Sequence, residues 1–92
     1  MTEKKILTRH PRGKSGKNIS VEKYEAVKRA MLSALRAGEM THDELTRALQ
    51  GKLKGKFEGS IGWYGETVKL DLEARKTIVR TASRPQRYRL KA

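Results

Sequence analysis

The hydrophobic period of this chain changes once, near Lys76, and that change limits the folds open to it. Before that point apolar residues recur every three or four positions, which gathers them on one face of a helix. After it, "TIVRT" and "RYRLK" alternate and flank "ASRPQ", where Pro85 suits a turn. The pattern predicts an α+β chain, mostly helical, in which three helices precede a C-terminal β-hairpin.

Local signals mark where the helices start and stop. Ser20 is placed to cap the first helix, Ile19 and Tyr24 stand at hydrophobic-staple positions, and Glu22 suits the positive end of the dipole. Tyr24, Val27, Met31 and Leu35, with Ala30 and Ala34, form its apolar face, and Gly38 is a natural terminator, so the helix is expected over about Val21–Ala37. "THDE" at Thr41–Glu44 is a capping box for the second helix, with Met40 and Leu45 as its staple and Leu45, Ala48, Leu49 and Leu53 as its stripe. "QGKLKGKFEG" reads as a loop anchored by Phe57. Ser60 can cap a third helix, in which Ile61, Tyr64, Val68, Leu72 and Arg75 share a face. Lys69/Glu73 and Asp71/Arg75 have ion-pair spacing in its second half. Gly62 and Gly65 each cost about 1 kcal/mol against Ala, which predicts an irregular beginning. A short strand around Glu39–Thr41 is expected as a third member of the hairpin sheet.

Residues 1–18, with "RHPRGKSGKN", read as a basic flexible arm, and residues 19–92 as one domain. The chain has no cysteine, which excludes a disulfide framework and Cys-based zinc sites. No apolar run approaches the roughly 20 residues needed to cross a bilayer. The N-terminal stretch has no apolar h-region, so a cytoplasmic protein is expected.

The formal net charge is +12, and its distribution matters more than its size. Residues 1–20 carry six basic side chains and one acid, residues 21–50 five of each, residues 51–76 six against four, and residues 77–92 five bases and no acid. Charge concentrated at both ends of a chain with a neutral middle favours a polyanionic partner, because basic patches displace counterions from phosphates.

Catalytic readings fare poorly. "GKSGK" at Gly13–Lys17 resembles a phosphate loop, but Thr8 occupies the first glycine position and no buried strand precedes it. His42, Asp43 and Glu44 are adjacent in a first turn and point apart, and capping already accounts for Glu44. Asp71 and Glu73, two apart on a helix, diverge. There is no nucleophile–base set, cofactor fingerprint or metal-ligand spacing, so neither an enzyme, a cofactor nor a metal is expected.

Helix, helix, helix and a hairpin with a basic outer face is the outline of a winged helix-turn-helix. "VKLDLEARKTIVRT" resembles the junction between recognition helix and wing in winged-helix regulators, at Leu72, Glu73, Ile78, Val79 and Arg80. Lys76 stands where those proteins often have glycine. The chain as a whole is similar to a family of small uncharacterised bacterial proteins, in "HPRGKSGKNISVEKYEAVKRAML", "LKGKFEGSIGWYGETVKLDLEARK" and "PQRYRL". The first resemblance implies a DNA-binding regulator, and the second a compact bacterial domain.

On that reading Arg80, Arg84, Arg87, Arg89 and Lys91 belong to a phosphate-contacting wing, and Lys52, Lys54 and Lys56 to a loop beside the backbone. Thr67 and Lys69 would touch base edges from helix 3, and Gly62 and Gly65 would let the backbone approach phosphates. From Ser60 to Lys76, however, three acids balance three bases, which is unusual for a groove reader. The alternative is a protein-interaction or dimerisation module using Trp63 and Leu70, and a weaker third is structured RNA bound by shape and charge.

Overall fold

The computed structural model describes residues 4–14 and 16–91; residues 1–3, 15 and 92, which include the first part of the expected arm, lie outside them. Eight elements follow in order: β1 (Lys5–Leu7), β2 (Asn18–Ser20), α1 (Val21–Arg36), β3 (Met40–Thr41), α2 (His42–Leu53), α3 (Ile61–Ala74), β4 (Ile78–Arg80) and β5 (Arg87–Leu90).

The helix starts follow the caps. Ser20 Oγ accepts from the Lys23 amide, Thr41 and Glu44 complete the capping box in both directions, and Ser60 Oγ accepts from the Trp63 amide. α3 is regular from Ile61 onward despite its glycines. Gly65 is not an opening toward a ligand: a Cβ there would come within 3.0 Å of Leu49 Cδ1, so it is the point at which α2 and α3 pack closely. The core lies among the three helices and under the second sheet. Val27, Met31, Leu45, Leu49, Val68 and Leu72 are almost wholly buried, joined by Ile78 and Tyr88 from the hairpin. Each such aliphatic side chain contributes about 1.5–3 kcal/mol by leaving water.

Two antiparallel sheets complete the molecule. In one, the order is β3-β5-β4, with Met40 opposite Tyr88 and Ile78 opposite Leu90. The short strand after α1 therefore joins the hairpin, as the sequence predicts.

The other sheet was not expected. β1 and β2 pair, Ile6 opposite Ile19, ahead of all three helices. β1 and β2 thus form a hairpin seated on the helices where an arm was expected. Thr8 is buried, its amide donates to the Lys17 carbonyl at 2.8 Å, and its Oγ1 accepts from the Lys17 amide at 2.8 Å. Gly16 is required by this closure, since a Cβ on it would lie 1.6 Å from the Thr8 carbonyl oxygen. The glycine of "GKSGK" thus serves close strand packing.

No described helix is long and apolar enough to cross a membrane. No fully buried side-chain nitrogen or oxygen among the described residues lacks a hydrogen-bond partner.

Candidate nucleic-acid interface

Helix α3 determines what the surface can do, and two of its residues overturn an expectation. Thr67 and Lys69, expected to face a groove, are buried. Thr67 is covered because the N-terminal hairpin lies over that side of α3. Thr8, Arg9, Gly16 and Lys17 enclose a small cavity of about 80 Å³ with Thr67 and Leu70. Lys69 turns instead toward α2 and β5. Its Nζ lies 3.0 Å from Glu66 Oε2, 2.8 Å from His42 Nδ1 and 3.2 Å from Tyr88 Oη, and 4.4 Å from the Tyr88 ring centroid. A lysine ammonium only donates, so at this contact His42 Nδ1 is the acceptor. Three polar partners and an aromatic face compensate for burying this charge. Lys69 pairs with Glu66 rather than with Glu73.

Asp71 is wholly buried, one turn beyond Thr67, and fixes the N-terminal hairpin to the core. One carboxylate oxygen accepts from the Arg9 amide at 2.8 Å. The other accepts from the Tyr24 hydroxyl and from Arg75 Nε at 2.9 Å. Burial, then the hydrogen bond to this carboxylate, push the Tyr24 phenol far above its ordinary range, so it stays a donor. The Asp71 bond holds Arg75 more firmly charged. The Asp71/Arg75 pair was legible from its spacing, while only an acid set between Leu70 and Leu72 hinted at the contacts with Tyr24 and Arg9.

What remains open on α3 is little: Gly62, Trp63 and Glu66 are exposed, and Leu70, Glu73 and Ala74 are half-buried. Trp63 retains 43% of its surface and packs edge-on against Tyr64, which in turn meets Phe57. Leu70 is half-buried and lines clefts shared with the N-terminal turn, so of the two expected interface residues Trp63 is the more exposed.

The hairpin β4–β5 presents cations as expected. Tyr88 points inward, while Arg84, Arg89 and Lys91 are exposed and form no ion pair among the described residues. Arg87 lies 3.7 Å from Glu44, and Arg80 donates to Glu73 at 3.1 Å. The loop cluster stands apart from this surface. Lys52 donates to Ser33, and Lys54 and Lys56 line clefts beside the start of α3 and beside α1. The hairpin lies instead at the far end of α3, which at 1.5 Å per residue is about 20 Å long.

The N-terminal turn, by contrast, adjoins the hairpin. A cleft of about 370 Å³ is lined by His10, Arg12 and Lys14 from the turn, Leu70 and Glu73 from α3, and Arg80 from β4. A second, of about 290 Å³, shares Pro11, Glu73 and Arg80 with the first and adds Lys76 and Lys91. Lys76 was not a candidate from the sequence, and Arg12 and Lys14 entered only as part of a basic arm expected to reach phosphates; the absence of acids from residues 8–17 was the available signal.

Lys76 carries a further signal. Its φ is +63°, in the left-handed region where glycine is usual. The Lys76 amide donates to Glu73 and the Thr77 amide to Leu72, the paired bonds of a Schellman ending. A lysine thus occupies a glycine position beside the cationic cleft.

No cluster of metal-ligating side chains occurs among the described residues. No curated protein and no solved structure matches the chain. A family model, that of the family of unknown function DUF6958, matches residues 5–88, from β1 through all three helices into β5, and the chain belongs to that family.

Proposed function

We propose that this protein binds nucleic acid, with duplex DNA as the favoured partner, through phosphate contacts from its two basic hairpins. The observation that carries the reading is the convergence of Arg12, Lys14, Lys76, Arg80 and Lys91 on two adjoining clefts whose one carboxylate, Glu73, is already engaged by Arg80. Such a surface neutralises phosphates and releases counterions. The order of helices with β3 beside β5 supports a winged helix-turn-helix architecture, in which β4–β5 is the wing. Fold likeness alone is a weak warrant, and the cationic clefts carry the argument.

The mode differs from groove reading by a recognition helix. With Thr67 and Lys69 buried and α3 carrying three acids against one base, base edges have little to meet, so affinity comes from the backbone and depends weakly on sequence. A protein-interaction reading rests chiefly on Trp63, the exposed aromatic of α3, with half-buried Leu70 beside it on the helix.

Replacing Arg84, Arg89 and Lys91 together by Gln tests the wing. These side chains are exposed, so the fold should persist. Fluorescence anisotropy with random-sequence duplexes should show weaker binding across all sequences and a salt slope shallower by about 1 for each phosphate no longer neutralised. Unchanged affinity for duplex DNA would remove the wing from the interface.

A further inference from the structure

The cleft between the N-terminal turn and β4 has the composition of a site for a single phosphate group. Arg12 and Lys14 line it from one hairpin and Arg80 from the other, so the cations converge from segments about 70 residues apart. Three positive charges face one carboxylate, leaving a surplus suited to a phosphate anion. Glu73 does more than subtract charge. It accepts from one Nη of Arg80 at 3.1 Å, which fixes the guanidinium while its remaining N–H groups stay free to donate.

The turn is braced from within. The Arg12 amide donates to His10 Nδ1 at 3.1 Å, and the Gly13 amide donates to the His10 carbonyl at 3.0 Å. One residue before His10, the Arg9 amide is held by the buried Asp71. Arg12 and Lys14 are therefore presented from a pinned turn, which lowers the entropy lost on binding.

We infer that this cleft is a phosphate-binding subsite, which in the complex holds one backbone phosphate of a duplex and makes the N-terminal hairpin a second wing. The occupant rests on the nucleic-acid reading; the site rests on the cleft itself.

The test uses the full chain in two arms. In the first, Arg12→Gln/Lys14→Gln is compared with Lys52→Gln/Lys54→Gln, which removes the same charge at the other end of α3. Circular dichroism checks that both fold. The first pair should lose about tenfold in duplex affinity at low salt and about 0.9 in salt slope, the share of one phosphate, while the second pair loses much less. Equal losses would mean that net charge alone matters, and would overturn the site. In the second arm, inorganic phosphate is titrated against chloride at matched ionic strength while amide resonances are followed. Shifts should concentrate at residues 9–14 and at Arg80. If phosphate shifts these amides but no duplex binds, the site stands and the nucleic-acid reading falls. If duplex binds while neither the amides nor the first pair respond, the reading stands and the site is overturned.

Discussion

Single residues carry much of what distinguishes this chain. Lys76 is the clearest case, since its left-handed backbone costs about 1–2 kcal/mol for a residue with a Cβ. Glycine would relieve that strain and return part of the gain as greater freedom of the unfolded chain. Lys76→Gly should therefore stabilise the fold by about 0.5–1 kcal/mol, read from the shift in urea midpoint at constant slope. The same substitution removes a cation from the cleft beside β4, so duplex affinity should fall as stability rises. Opposite movement of the two readouts is what a residue retained for charge rather than for folding produces. Lys69 shows the reverse relation. It looks like a surface cation in sequence, and its partners, 3, 19 and 27 positions away, make it part of the interior.

At the scale of elements, local chemistry and remote contacts divide what the sequence reveals. All three helix starts were legible because each cap lies within three residues of the amide it satisfies. The β4–β5 alternation was legible for the same reason of short range, whereas the two-residue strand at Met40–Thr41, whose partner β5 is remote in sequence, was legible only from the winged-helix outline. β1 and β2 were not, because three-residue strands carry too little periodicity and their flanks look like a solvated arm. The coverage of α3 was hidden as well. It depends on Asp71 meeting Arg9 across 62 positions and Tyr24 across 47, which no window of sequence contains.

The capping box of α2 also makes a prediction at this scale. Hydrogen bonds to the Thr41 backbone, then to its side chain, hold the Glu44 carboxyl below its ordinary value of 4.5. Its folded pKa lies below its unfolded one, so its contribution is complete above about 4.5 and is lost as pH falls through the folded value. Thermal unfolding followed from pH 7 to pH 3 should show that loss in the native chain. In Glu44→Gln, whose amide can still reach the Thr41 amide, the acid-induced decline should be smaller. Identical declines would show that the box does not depend on the carboxylate.

For the whole molecule, the arrangement is two basic hairpins beside a helix whose outward face is largely covered. The family to which the chain belongs has no known function, so the functional account rests on this charge distribution. The longest axis is 44 Å, about 13 base pairs at 3.4 Å each, so a duplex of that length already spans the protein. The proposed binding of duplex DNA through phosphates can be measured by anisotropy titration of a random-sequence duplex at several salt concentrations. Micromolar binding is expected at low salt, similar for unrelated sequences and falling by about 0.9 log units per log unit of salt for each phosphate engaged. No binding at low salt, from a chain with a net charge of +12, would contradict it and leave exposed Trp63 as the surface to pursue.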